Sequence, residues 1–273
     1  MLERWGLRVE VGRAVLKRQA YLAGSDAERL ADLDRMIDDT RLRALFCARG
    51  GYGSQRLLPR LDLMRLALQP RPLIGYSDAT ALLNAAVAVG APSVHGPMVA
   101  DDIARGLSPR SEAHLWSLLT EPAWRWEVEA PVVVRPGRAR GRLVGGCLAV
   151  LVAALGTPYA VDMDGHIVFL EDVAERPYRL DRLLTQLRQS GKLDRAAGVV
   201  FGTMAACPPI DGVGPLDVVR ACCGDLACPV AFGLPAGHDP GTAGCENLAL
   251  PLGVEVELDA DAGRLRALEA AVV

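Results

Sequence analysis

Short apolar runs alternate with helical patterns through the first half of this chain, and each run stops at a turn containing glycine or proline. That rhythm restricts the fold to α/β with a mostly parallel sheet, because parallel neighbours need a crossover between them. Ser25-Asp26-Ala27-Glu28 is a capping box, in which hydroxyl and carboxylate each satisfy an orphan backbone N–H. The helix behind it places Leu30, Leu33 and Ile37 on one face. Residues 43–48 read as a short buried strand that breaks at once into Arg49-Gly50-Gly51-Tyr52-Gly53. A second strand, 72–76, runs into Ser77 and an apolar helix over 78–89 that Gly90 stops. A third, 92–95, ends at Gly96-Pro97. All three turns fall on one edge of the sheet, where open α/β folds bind their ligands.

Residues 122–142 are rich in Pro, Gly and Arg and keep no period, which marks a boundary. The expected division is an N-terminal domain over 1–125, a linker over 126–140 and a C-terminal domain over 141–273. Past the boundary, Gly145-Gly146 opens an apolar helix over 147–155, and 166–170 is a strand. Residues 177–189 form an amphipathic helix with Leu180, Leu183, Leu184 and Leu187 inward. Short strands follow at 198–201, 230–232, 248–250 and 254–258. The predicted class is α/β: a Rossmann-like N-terminal domain with a mostly parallel sheet, plus a smaller β-rich C-terminal domain.

Composition narrows the function classes. The 273 residues are 51% hydrophobic and 23% charged, which excludes wholesale disorder. A net charge of −3 gives no overall pull toward nucleic acid or an anionic membrane. The one basic stretch, 135–142, is interrupted by Pro136, Gly137 and Gly141, lacks interleaved aromatics, and reads as a solvated linker. No apolar run reaches the ~18–20 residues that span a bilayer, and the first residues carry no secretory signal. Cys47 and Cys147 sit beside apolar residues, Cys207 and Cys245 in loops, and Cys222, Cys223 and Cys228 lack C-x-x-C spacing. Reduced thiols in a cytoplasmic protein are expected, with no metal and no cofactor.

Chemistry gathers at the turns. Ser77 lies at a strand-to-helix turn, where its hydroxyl projects beyond the sheet and the amide of Asp78 sits at a helix start, poised for an oxyanion. The G-x-S-x-G elbow pattern is broken because Ala79 replaces the second glycine, and a serine here also serves as a plain N-cap. The loop 49–53 lets backbone N–H groups approach a ligand closely, although a tight turn has the same composition. A serine nucleophile needs a base near neutrality, and of His95, His114, His166 and His238 the first and last end strand-like segments. The orienting carboxylate is Glu171, Asp172 or Glu175. Residue reasoning stops at a serine hydrolase with two histidines and three acids open.

Taken together, 49–53 (RGGYG), 73–80 (LIGYSDAT), 95–98 (HGPM), 141–146 (GRLVGG) with 155–159 (LGTPY), 169–184 (FLEDVAERPYRLDRLL) and 233–238 (GLPAGH) resemble the LD-carboxypeptidase family of serine peptidases, which includes microcin-immunity hydrolases. The segments occur in family order and span about residues 21–253. The resemblance implies Ser77 as nucleophile, Glu171 as its carboxylate partner and His238 as base, with backbone amides of Gly51 and Asp78 as oxyanion donors. It implies an N-terminal domain carrying the serine, a C-terminal domain carrying the other two, a site at their junction, and a homodimer. The implied reaction is acyl transfer that releases terminal D-alanine from muropeptide tetrapeptides in peptidoglycan recycling. Arg49 is the candidate for the substrate's free carboxylate, since guanidinium binds carboxylate bidentately; the alternative is an arginine paired with a local acid.

Two departures from the family pattern stand out. Family members usually begin with a strand and a Pro-Ser loop ahead of the first helix; that segment is absent here, so a missing central strand is expected. Cys147 stands where the family more often has a polar residue. The same triad would equally serve a microcin-immunity-like hydrolase of aminoacyl-nucleotide amides, and a non-catalytic ligand-binding homologue is the alternative of a different class.

Overall fold

The computed structural model describes residues 1–239, 244 and 246–271; Cys245 lies outside them. The first half alternates as the apolar pattern requires. After α1 (Asp26–Asp38), strand β1 (Leu45–Phe46) leads through α2 (Met64–Leu68) to β2 (Leu73–Gly75), then α3 (Thr80–Ala88), β3 (Ser93–His95) and α4 (Pro109–Thr120). The capping box forms, with the Glu28 N–H donating to Ser25 Oγ and the Ser25 N–H to Glu28 Oε2. At the other end of α1 the buried Arg71 guanidinium closes the helix by donating to the carbonyls of Met36, Ile37 and Asp39.

The second half holds β4 (Glu127–Glu129), β5 (Val132–Arg135), β6 (Arg138–Cys147), α5 (Leu148–Ala153), β7 (Ile167–Val173), α6 (Pro177–Gln189), β8 (Gly198–Ala205), α7 (Pro215–Cys223), β9 (Val230–Phe232), β10 (Leu250–Leu252), β11 (Glu255–Asp259) and β12 (Arg264–Ala267). One sheet has the order β1-β2-β3-β10, the other β4-β12-β11-β6-β7-β8-β9-β5. Strands β1–β3 are parallel, as are β6–β9, and β10 joins β3 antiparallel. The class is α/β, as predicted, but the sheet of the second half is the larger of the two.

The stretch expected as a linker, 126–140, is instead built of strand. The arginines at the start of β6 project to solvent but are answered across the sheet: Arg138 by Asp259 at 3.0 Å, Arg140 by Glu257 at 2.7 Å and Arg142 by Glu255 at 3.8 Å. The sequence hid this because the acids lie more than a hundred positions away. Cross-strand charge pairing replaces the apolar alternation that marks a strand.

Strands β6, β7 and β8 are covered on both faces. Leu143, Ile167 and Phe169 point into a core shared with Ile74 and Leu250 of the first sheet and Leu83 of α3, while Val144, Val168 and Leu170 face Leu151 of α5 and Leu180 and Leu184 of α6. The helix behind Ser77 is bolted to β6. The Asn84 side chain donates to the Gly145 carbonyl at 2.8 Å and accepts the Gly145 N–H at 3.0 Å, and Thr80 Oγ1 accepts the Cys147 N–H at 3.1 Å. Gly146 is needed here, since a Cβ on it would lie 2.7 Å from Thr80 Oγ1.

Leu151 is 3% exposed and packs in the core under α5. Leu151→Asp removes a buried apolar group and buries a charge, so a loss above about 3 kcal/mol is expected. Chemical denaturation would register it as a lower midpoint, and a variant that melts like the wild type would place α5 outside the core.

Candidate active site

Strand β2 ends at Gly75, and the chain passes through buried Tyr76 into a tight 3-10 turn, Ser77–Ala79, that opens α3. Ser77 has φ +60°, a left-handed conformation that costs a residue with a Cβ on the order of 1–3 kcal/mol and persists only where its surroundings enforce it. Glycines make that turn possible. A Cβ on Gly75 would lie 2.9 Å from Cys47 Sγ, and one on Gly50 would lie 2.8 Å from Ser77 Cβ and 3.0 Å from its Oγ. This is the shape of a nucleophile elbow despite Ala79. The Ser77 side chain is half-buried, and its hydroxyl makes no hydrogen bond to a described residue.

The glycine-rich loop is held against this turn by the next residue. The Asp78 carboxylate accepts the Gly53 N–H at 3.1 Å and the Ser54 N–H at 2.8 Å, while Arg29 donates to the Gly53 carbonyl at 3.2 Å. Asp78 thus fixes the loop with its side chain, a role the sequence reading missed. Gly51 has φ +113° and open space where a Cβ would be. Arg49 is exposed and makes no ion pair among the described residues, so the pairing with a local acid is not formed.

Glu171, on β7, is fully buried and meets His238 twice. Its Oε2 accepts from His238 Nδ1 at 2.7 Å and from the His238 backbone N–H at 3.0 Å. The loop carrying His238 is pinned around this contact: Thr203 donates its hydroxyl to the His238 carbonyl at 2.7 Å, and Asn247 Oδ1 accepts the Gly237 N–H at 3.0 Å. Gly237, at φ +116°, admits the carboxylate, since a Cβ would sit 2.7 Å from Glu171 Oε2. The His238 ring packs edge-on against Tyr76, the residue before Ser77, with centroids 4.8 Å apart.

Burial alone would push the Glu171 carboxyl up, but the hydrogen bond from His238, with a smaller contribution from His95, holds it at about 2. Burial alone would pull His238 down, and the Glu171 hydrogen bond and charge reverse this and raise it. Each member of the pair therefore favours the charged form of the other.

The remaining candidates sort by contact. Asp172 turns away and caps α5 by accepting the Ala149 N–H at 2.9 Å; burial pushes its carboxyl to about 6. Glu175 pairs with Arg179. His114 donates from Nε2 to the Ala249 carbonyl at 2.9 Å and packs edge-on against Trp124, a packing position. His95 is fully buried and lies 3.6 Å from the other Glu171 oxygen. Burial and the nearby carboxylates push the Cys147 thiol well up, and its backbone serves the Thr80 contact. The structure thus gathers Ser77, Tyr76, Glu171 and His238, with a Glu171–His238 hydrogen bond but, among the described residues, no hydrogen bond at Ser77 Oγ.

Comparison with known proteins gives the family. The LD-carboxypeptidase N-terminal domain matches residues 1–96 and the LD-carboxypeptidase C-terminal domain residues 140–258. The chain belongs to the LD-carboxypeptidase family. It is 36% identical to the murein tetrapeptide carboxypeptidase of Pseudomonas aeruginosa, over 97% of this chain and 87% of that protein. The crystal structure of muramoyltetrapeptide carboxypeptidase from Oxalobacter formigenes superposes with a TM-score of 0.80 at 31% identity, covering 91% of this chain and 86% of the other. The microcin C7 self-immunity protein MccF, in complex with glutamyl sulfamoyl guanosine, shares the fold with a TM-score of 0.84 at 21% identity, over 100% of this chain and 89% of its own.

The Glu171–His238 contact makes a direct prediction for this carboxypeptidase-family chain. Glu171→Gln leaves the burial penalty on the imidazolium without its counter-charge, so the His238 pKa should fall below the ordinary ~6.5. An NMR titration of the ring would detect it, and an unchanged or higher value would mean that Glu171 does not govern His238.

Proposed function

We propose that this chain is a cytoplasmic serine LD-carboxypeptidase that cleaves the L,D-peptide bond before the terminal D-alanine of muropeptide tetrapeptides. The observation that carries this reading is the buried Glu171–His238 hydrogen bond standing beside a serine in a left-handed strand-to-helix turn. Similarity to the tetrapeptide carboxypeptidase of P. aeruginosa supports the substrate class.

In this mechanism His238, oriented through Nδ1 by Glu171, takes the Ser77 proton on Nε2 as the hydroxyl attacks the scissile carbonyl. The Ser77 hydroxyl is free to rotate toward Nε2, since no described residue holds it. The amides of Gly51 and Asp78 receive the oxyanion, each worth about 3 kcal/mol of barrier. Asp78 assists twice, because its carboxylate also sets the glycine loop. His238 then protonates the leaving D-alanine nitrogen, and water resolves the acyl-enzyme with His238 again as base. Arg49, exposed and unpaired among the described residues, receives the carboxylate of the terminal D-alanine.

The decisive measurement is release of D-alanine from a muropeptide tetrapeptide by the purified protein. The wild type should release it and label with a fluorophosphonate, and Ser77→Ala should abolish both while melting normally. Hydrolysis of an aminoacyl sulfamoyl nucleotide with no release of D-alanine would assign the triad to the other substrate class.

The pH profile follows from the raised His238 pKa. A base works in its neutral form, so kcat/KM is lost as pH falls through the folded-state pKa, and the acid limb should lie above the ordinary histidine value of ~6.5. Steady-state kinetics between pH 5 and 9 would test this, and a flat profile with chemistry limiting would exclude a histidine base.

A further inference from the structure

Glu171 has two carboxylate oxygens, and the contact with His238 uses one. Oε2 accepts both His238 bonds, whereas Oε1 is buried without a hydrogen-bond partner among the described residues. Facing Oε1 at 3.6 Å is Nε2 of His95, a fully buried residue whose two ring nitrogens likewise have no hydrogen-bond partner among the described residues. Buried polar atoms left unpaired are costly and uncommon. Two that face one another, an acceptor and a nitrogen able to carry a proton, are complementary. Their separation lies just beyond hydrogen-bond length, so a small rotation of the ring or carboxylate closes it.

The position of His95 is set by the strand rather than by Glu171. On β3 it stands in register with Gly75 of β2 and Leu250 of β10. Its ring meets Phe169 edge-on at 4.9 Å, lies 5.8 Å from Tyr76, and is 3.4 Å from where a Gly146 Cβ would be. Sequence reading had treated it as a rival base to His238, which it is not: it lies on the opposite oxygen of the same carboxylate.

We propose that His95 is a positioning residue of this site, donating from Nε2 to Oε1 so that Glu171 is gripped between two imidazoles. The proposal rests on Ser77, His238 and Glu171 acting as a triad. A carboxylate bonded at one oxygen can pivot; one bonded at both keeps Oε2 on His238 Nδ1 through the proton transfers. Sharing its charge with a second donor also makes Glu171 a weaker base, so the proton stays on His238. Besides Glu171 and His238, the titratable groups around this wall are Asp172 on β7, Cys147 on β6, and Tyr76 with its hydrogen-bonded Asp102.

Two variants separate positioning from packing. Glutamine at position 95 carries its N–H2 near the place of Nε2, while asparagine reaches only near that of Nδ1. His95→Asn should lower kcat roughly 10- to 100-fold, as loss of a hydrogen bond to a charged group does, with KM within about twofold. It should also raise the His238 pKa, because the undivided Glu171 charge then acts on His238, and shift the acid limb of kcat/KM upward. His95→Gln should keep both near wild type. Equal losses in the two variants with an unmoved His238 pKa would overturn the proposal.

The His238 titration is read by NMR in a Ser77→Ala background, so it needs no turnover. If the wild type neither labels nor releases D-alanine, the triad reading fails, and the titration still decides the His95–Glu171 contact. Should His95→Asn not fold, 15N shifts of the wild-type ring decide: Nε2 protonated supports the proposal, and Nδ1 protonated overturns it.

Discussion

The site depends on two amide hydrogen bonds between a side chain and a backbone. Asn84, in the helix that follows Ser77, binds both polar groups of Gly145, and β6 is the strand alongside β7, where Cys147 stands in register with Glu171. The serine and the glutamate are thereby placed on a common frame although nearly a hundred residues separate them. An amide side chain suits this task because its donor and acceptor match those of one peptide unit. Asn84 is 6% exposed, so its loss would leave Gly145 with two buried unsatisfied groups, about 1–3 kcal/mol each. The two glycines are equally constrained: a Cβ on Gly145 would overlap the Phe169 carbonyl, and one on Gly146 would strike Thr80.

Electrostatics then acts inside that frame. A fully buried carboxylate would ordinarily favour its protonated form, and here hydrogen bonding reverses the preference and keeps it charged. The same buried charge raises the facing imidazole, which is how a general base acquires its working range. Asp172, one residue along β7, shows the contrast. Its hydrogen bonds come from the Ala149 and Val173 amides and the weak Cys147 thiol donor, burial dominates, and its carboxyl rises to about 6. Adjacent acids on one strand thus take opposite characters because alternate side chains face opposite sides of the sheet.

Much of this was legible in the sequence. The capping box at Ser25, the helix Pro177–Gln189 and the strands flanking Ser77 follow from local patterns and recur in the structure. The turn at Ser77 was legible as a site because strand, serine and apolar helix are contiguous. Long-range pairing was not. The arginines of β6 read as a solvated linker because their partners, Glu255 to Asp259, come from a strand more than a hundred residues later. Asn84 carried a faint signal, a lone amide within an otherwise apolar helix, but nothing local names Gly145 as its partner. Residue reasoning alone left His95 and His238 unranked, and only the family resemblance chose His238; the fold puts them on different oxygens of Glu171.

One further consequence comes from β10. The chain leaves the larger sheet at β9, passes through His238, and re-enters the smaller sheet beside β3, where Leu250 stands opposite His95. His238 therefore lies, in chain order, between strands that belong to different sheets. A hinge that swung the two sheets apart would have to shear the β3–β10 ladder, so large-scale closure is a poor route to adjusting this site. Whatever movement brings the serine hydroxyl to the imidazole must be short in range: rotation about Ser77 χ1, or a shift of the few residues around Gly237.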